Sequence, residues 1–429
     1  SDVSLLHSLE QEFEFVETDD QIRSLSEIFH DLGSATPMDR LLVGDVGFGK
    51  TEVAIRTAFW VAVGGGQVAL LAPTTILVEQ HYHVFKTRME KFGVRVRVLS
   101  RFLGKTQTEK VIEEIKKGKI DVVIGTHRLL SKDIEFSNLK YLIIDEEQRF
   151  GVKQKERFKG MRIDLHVLSM SATPIPRTLN MALSGVRDIS IISTPPQGRV
   201  AIKNYVQRFD WPVVEKAILK EKSRGGQVYY VHNRVSTIEH IRQKLEERLP
   251  GVKFAVGHGQ MPPGHLSKVM RDFNNCEYDV LICSTIIENG LDMPNVNTLI
   301  IDRAEMFGLS QLYQLRGRIG RSPRQAYAYF LYGGKGYAKV VLQAGRERKE
   351  SGDVGDDTDG VLWDQARSRL DAIGHLNKLG SGFELAQRDL EIRGAGNFLG
   401  REQHGNVSSI GFSLYCRLLS EMIDIIKKQ

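Results

Sequence analysis

Short apolar runs alternate with helical stretches through most of this chain, and that alternation leaves few folds open. Strands are read at 40–44, 68–72, 121–125, 141–145 and 166–170, with a second series at 227–231, 254–256, 279–283, 298–302 and 326–331. Apolar strands separated by helices pair in parallel and need helices to cover the sheet. Between the two series lies Ser193-Thr194-Pro195-Pro196-Gln197-Gly198, where prolines stop regular structure and glycine permits a turn. Two similar α/β lobes joined there is the simplest arrangement. Beyond 331 the character changes. The stretch 333–360 is rich in glycine and charge, with Asp353, Asp356, Asp357 and Asp359, and reads as a solvated loop. Helical periodicity returns from 361, with Leu370, Ile373, Leu376 and Leu379 near one face. The expected domains are therefore 1–196, 197–345 and a smaller, mostly helical element at 346–429.

Composition narrows the class. A chain of 429 residues exceeds one ordinary core, and 41% hydrophobic with 26% charged residues is a globular balance. The net charge of +6 suits a polyanionic partner without singling one out. Cys276, Cys283 and Cys416 show neither zinc-site spacing nor a disulfide framework. The uncharged stretch 57–78 is broken by Gly64-Gly65-Gly66 and Pro73, so it reads as helix end, turn, strand and loop, and no membrane partner is expected. The chain opens Ser1-Asp2-Val3, without an initiator Met or signal peptide, and is expected to be a fragment of something longer.

Gly44-Asp45-Val46-Gly47-Phe48-Gly49-Lys50-Thr51 fits the phosphate-binding pattern GxxxxGK[ST], with a strand before it and a helical run at 52–63 after it. Glycines let backbone N–H groups turn inward around phosphates, and the helix N-terminus adds its dipole. Lys50 is placed to reach the β- and γ-phosphates of ATP, and Thr51 to ligate Mg2+. The apolar strand at 141–145 ends in Asp145-Glu146-Glu147-Gln148. Taken alone this is either a solvated acidic turn or a metal-side carboxylate, Asp145, followed by a water-activating one, Glu146. Its pairing with Lys50 in one lobe favours the second. Gln314-Leu315-Arg316-Gly317-Arg318-Ile319-Gly320-Arg321 is either a basic face or, if the lobes close over ATP, a source of arginine fingers at Arg318 and Arg321 beside Gln314.

These segments, with Ser171-Ala172-Thr173 and 285–294, follow the order of helicase superfamily two. Met38 to Ala54, Ala172 to Asn180 (ATPIPRTLN) and Gln311 to Ser322 (QLYQLRGRIGRS) resemble the transcription-repair coupling factor family almost residue for residue. The run Gly382 to Asn397 (GFELAQRDLEIRGAGN), continuing to Gln403, is similar to the translocation motif that this family shares with the branched-DNA helicase RecG. The resemblance implies two RecA-like lobes, parallel sheets flanked by helices, plus a C-terminal helical translocation motif. It implies an ATP-hydrolysing translocase on double-stranded DNA in the bacterial cytoplasm, associated with the nucleoid. RNA polymerase and excision-repair proteins are implied partners of the full-length family member, through modules that this stretch lacks.

By position, the resemblance makes Phe13, Thr18 and Gln21 the adenine-contacting element. Thr74, Thr75, Arg101, Thr126 and Arg128 fall where first-lobe residues touch one DNA strand, and His258 and Thr285 fall in the equivalent second-lobe segments. Arg393 and Gln403 fall where the translocation motif couples lobe motion to duplex. Two departures stand out: the family commonly has His at the position of Gln148 and Thr at that of Asn289. A RecG-like fork helicase and a non-catalytic, nucleotide-gated DNA scaffold are the alternatives. Asp145-Glu146-Glu147-Gln148 and the Met38–Ala54 stretch favour the coupling factor over the first. Joint retention of Lys50, Glu146, Arg318 and Arg321 argues against the second.

Overall fold

The computed structural model describes residues 2–100, 103–150, 165–172, 187–285, 293–333, 358–375 and 385. The first lobe runs to Gln197 and the second begins at Gly198. In the first, helices α1 (Asp2–Gln11) and α2 (Asp19–Leu32) precede β1 (Asp39–Gly44), α3 (Lys50–Val63), β2 (Gln67–Leu71) and α4 (Thr75–Met89). They are followed by β3 (Val96–Leu99), α5 (Lys105–Lys116), β4 (Val122–Gly125), β5 (Leu139–Asp145), β6 (His166–Ser171) and β7 (Asp188–Ile192). The seven strands pair in the order β3-β4-β2-β5-β6-β1-β7, and every pairing is parallel.

A parallel sheet is covered on both faces, so its central strands are apolar throughout. Tyr141, Leu142, Ile143 and Ile144 of β5 are all at most 1% exposed. At about 1.5–3 kcal/mol per large buried side chain, such strands dominate the lobe's stability. Helix α2 starts with a capping box, Thr18 and Gln21 exchanging side-chain and backbone bonds, and has Asp19 and Asp20 in its first turn. Helix α3 is buried on nearly every side and takes charge inward in pairs: Arg56, 3% exposed, contacts Glu10, Glu17 and Glu52, while Arg88 from α4 reaches Glu52 at 3.1 Å. This network fastens α1 and the segment after it onto α3.

The second lobe repeats the plan. Its elements are β8 (Lys203–Arg208), α6 (Trp211–Ser223), β9 (Gln227–Val231), α7 (Val235–Arg248), β10 (Phe254–Gly257), α8 (Pro263–Asn274) and β11 (Val280–Cys283). Then come β12 (Val296–Asp302), α9 (Leu309–Arg316), β13 (Tyr327–Tyr332) and α10 (Thr358–His375). Six parallel strands pair in the order β10-β11-β9-β12-β13-β8. Helix α10 lies against β8, where Asn204 donates to the carbonyl of Ile373 at 3.0 Å and Leu370 and Ile373 are buried. Leu376, Leu379 and most of the acidic stretch 333–360 lie outside the described residues.

All ten strands read from the sequence are present, with ends shifted by no more than two residues. Three more, β3, β7 and β8, are not in that reading, and each is an edge strand. Edge strands carry polar and charged residues, as in Lys203-Asn204-Tyr205-Val206-Gln207-Arg208, because one side meets solvent. The stretch 57–78 is the end of α3, a turn, β2 and the start of α4. No helix among the described residues is long and apolar enough to cross a membrane. Cys276 and Cys283 are free thiols, and burial pushes the Cys283 thiol up.

Candidate functional site

The loop 44–51 is shaped from beneath and from the side. Phe48 is fully buried and pins the loop to the core. Gly47 and Gly49 have φ of 80° and 83°, a conformation that L side chains adopt at a cost. A Cβ at Gly49 would stand 2.2 Å from the Gln21 amide nitrogen, so the position is closed to any other residue without displacing Gln21. Lys50 opens α3 and folds its ammonium back over the loop, donating to the carbonyls of Gly44 at 2.5 Å and Asp45 at 3.0 Å. Thr51 follows in the first turn of α3, and Asp45 is buried.

Gln21 sits on this loop. Its amide nitrogen donates to the Phe48 carbonyl at 2.8 Å, and its oxygen accepts from the Thr18 backbone at 3.0 Å. The Phe13 ring lies under two guanidinium groups, Arg56 at 5.4 Å and Arg88 at 5.7 Å. Phe15 meets Phe13 edge-on at 5.5 Å and is 65% exposed. Of the two rings, Phe15 is the one with an open face.

The acidic turn lies on the same edge of the sheet. In a parallel sheet all strand ends point one way; β6 alone separates β5 from β1, so Asp145 and Gly44 are roughly 10 Å apart laterally. Asp145 accepts from His81 Nε2 of α4 at 2.8 Å. Glu146 is 6% exposed and adopts φ 50°, ψ 51°, the left-handed region, with its amide bonded to the Met170 carbonyl at 3.0 Å. That conformation costs a non-glycine residue about 1–2 kcal/mol, and it turns the chain sharply as it leaves the strand. Arg187, 5% exposed, braces the turn from below through Glu147 (2.9 Å), Asp39 (2.9 Å) and Ser169 (2.7 Å).

The DNA-contact candidates occupy the other half of that edge. Thr74 caps α4 just after β2, its hydroxyl accepting from Leu77 at 3.4 Å, and Thr75 begins the helix. Thr126 follows β4 and caps the short helix 127–130. Arg128 is held by Asp133 through two bonds of 2.6 and 2.5 Å. In the second lobe His258 follows β10 and Thr285 follows β11, neighbouring strands of their own sheet. Arg101, Asn289, Arg393, Gln403, Thr173 and the rest of 173–180 lie outside the described residues.

Gln314 and Arg316 belong to α9, and Arg318 to the turn after it; they are 6%, 2% and 3% exposed. That burial does not fit a solvated basic face. Arg321 is half-buried, after Gly320 at φ 70°.

Sequence reasoning had no signal for His81, Arg187 or the left-handed Glu146. It also missed a second pair at the end of β12, where His232 Nδ1 and Asp302 lie 2.7 Å apart and His232 Nε2 lies 2.7 Å from Thr237. A comparison of the two strand ends would have found that pair: Leu142-Ile143-Ile144-Asp145 with Phe150-Gly151 recurs as Leu299-Ile300-Ile301-Asp302 with Phe307-Gly308.

Residues 18–182 match the family model DEAD/DEAH box helicase, and residues 212–323 match the helicase conserved C-terminal domain. Over 97% of its length the chain is 49% identical to the transcription-repair-coupling factor of Haemophilus influenzae, and 49% identical to that of Bacillus subtilis. It spans about a third of each relative's length (34%). A solved structure of RecG bound to a three-way DNA junction superposes with a TM-score of 0.72 at 32% identity, covering 97% of this chain and 52% of that one.

Proposed function

We propose, from the premise that this chain belongs to the superfamily-two helicases of the DEAD/DEAH-box type, that it is the ATP-driven double-stranded DNA translocase of a transcription-repair coupling factor. The observation that carries the reading is the division of one sheet edge. The phosphate loop and Asp145-Glu146 share the half over β1, β6 and β5, and the hydroxyl and guanidinium candidates share the half over β2 and β4. A single rigid sheet therefore joins a nucleotide site to a backbone-gripping site.

The loop amides and Lys50 hold the β- and γ-phosphates. Thr51 and Asp145 supply oxygen donors suited to a hard divalent cation, and His81 orients Asp145 from outside. Magnesium there would offset charge developing on the phosphate oxygens. Glu146, aimed by its left-handed turn, accepts the proton of the attacking water. Gln314, Arg318 and Arg321 serve the same hydrolysis from the second lobe when the lobes close. Gln21 reads the nucleotide through the loop it holds, and Phe15, rather than the cation-covered Phe13, offers a ring face to adenine.

Thr74, Thr75, Arg101, Thr126, Arg128, His258 and Thr285 contact DNA phosphates, so movement is indifferent to sequence and weakened by salt. Arg393 and Gln403 couple lobe motion to the duplex. RNA polymerase and excision-repair proteins are partners of the longer protein. ATP hydrolysis without DNA, with single strands and with linear duplex, at one salt concentration, tests the reading. Strong stimulation by duplex over single strand is expected, with displacement of a triplex-forming strand. Unwinding of a labelled fork without triplex displacement would instead assign the chain to fork remodelling.

A further inference from the structure

The first turn of α2 makes two long-range attachments from consecutive residues. Gln21 holds the phosphate loop at Phe48. Asp20, 7% exposed, holds the start of the segment leading to the second lobe. One oxygen of Asp20 accepts from the backbone and hydroxyl of Ser193 (2.9 and 2.8 Å) and from the backbone and hydroxyl of Thr194 (both 2.9 Å). The other accepts from Arg23 at 2.7 Å, and Arg23 also donates to the Ile191 carbonyl at 3.1 Å. Burial alone would weaken this carboxyl as an acid and push its pKa up. The four donors of Ser193 and Thr194 outweigh burial and hold it well below the usual carboxylate range.

The attachments form a closed triangle. Ile192, just before the clasped residues, is the register partner of Gly44, the first residue of the phosphate loop. A Cβ on Gly44 would be 3.1 Å from Ile192. The chain then continues as Pro195-Pro196, whose fixed φ leaves fewer torsions to absorb a displacement. Gly198, at φ 80°, lies beyond them at the lobe boundary. A shift of the α2 turn would therefore bear on the chain leading to Gly198.

We propose that Asp20 is a positioning residue that ties the exit of the first lobe to the phosphate loop, so that nucleotide at the loop sets the direction in which the chain leaves for the second lobe. The proposal rests on the ATPase reading above and deepens it. The clasp touches no reacting atom, and its effect is on coupling.

Hydrogen exchange across 193–202 in this chain, with and without AMP-PNP and magnesium, tests it alongside separately measured AMP-PNP affinity. In the unaltered chain nucleotide should change exchange at 198–202. In Asp20→Asn the amides of Ser193 and Thr194 should exchange faster and the nucleotide response at 198–202 should vanish, with affinity kept within about twofold. Duplex stimulation of ATPase should fall about fivefold or more, the scale of a typical coupling energy. Pro195→Gly/Pro196→Gly, which leaves the clasp intact and softens the chain leading to Gly198, should reproduce the loss and serves if Asp20→Asn does not fold. A nucleotide response at 198–202 unchanged in the Asp20 variant, or in the proline variant, would overturn the proposal. So would an unaltered chain that binds AMP-PNP with no response there. An unaltered chain that fails to bind AMP-PNP would instead sink the ATPase reading, and the proposal with it.

Discussion

The two lobes are the same construction carried to different ends. Aligned by sheet order, β3-β4-β2-β5-β6-β1 corresponds to β10-β11-β9-β12-β13-β8, and the elements follow in the same order along the chain. Each central strand ends Ile-Ile-Asp, then a residue held left-handed (Glu146 at φ 50°, Arg303 at φ 55°), then a short helical turn. Each aspartate is paired with a histidine, His81 at 2.8 Å and His232 at 2.7 Å. The lobes part company where β1 and β8 end. After β1 comes the glycine loop; after β8 the chain goes through Phe209-Asp210 directly into α6, which opens Trp211-Pro212. Without glycines there is no cradle, and with Arg303 in place of Glu146 there is no carboxylate to accept a proton. The second lobe keeps the frame of the first without its glycine loop or its acid pair.

Six substitutions would break or sharpen that contrast. Glu146→Gln should lower kcat by roughly 10²–10⁴-fold, the worth of a positioned general base, while AMP-PNP still binds. Arg303→Gln should not approach that loss; steady-state ATPase assays of the two decide whether only one strand end is chemical. Lys50→Ala should cost roughly 10²–10³-fold in turnover, as loss of one preorganised charge contact does, and a normal rate in that variant would remove the loop from the mechanism.

The histidines should separate by kind of damage. His81→Ala should lower turnover roughly 10–100-fold, the usual penalty for losing an outer-shell partner of a metal ligand. His232→Ala, which strips an imidazole from a fully enclosed Asp302, should cost about 1–3 kcal/mol of stability, read by denaturant titration. Equal stability losses from both would mean that the first pair is structural too. The smallest effect is expected for Arg303→Gly. Relief of its left-handed backbone should offset part of glycine's entropic cost, so stability should change by about 1 kcal/mol or less.

Much of this was legible before any coordinates. The glycine loop 44–51 could be read because its requirements are local: glycines where φ is positive, Lys50 and Thr51 at the start of a helix, an apolar strand before. Nine interior strands could be read because both of their faces are buried, and the edge strand β10 because Phe254-Ala255-Val256 is apolar throughout. The edge strands β3, β7 and β8 could not, since half of each answers to solvent and its pattern resembles a loop. Nor could the left-handed turn at Glu146, which ordinary propensity disfavours and which the Met170 carbonyl and the Arg187 brace hold in place.

By itself, the sequence determined the class of fold, the lobe count, the glycine loop after β1 and the acid pair after β5. Each follows from residues adjacent in the chain. Tertiary structure alone decided which partners tune them. His81 lies 64 residues from Asp145, Gln21 lies 27 from Phe48, and Ser193 lies 173 from Asp20. Short-range pattern carries no record of such pairs, because a single oxygen or nitrogen at hydrogen-bond distance is set by how whole helices seat on the sheet.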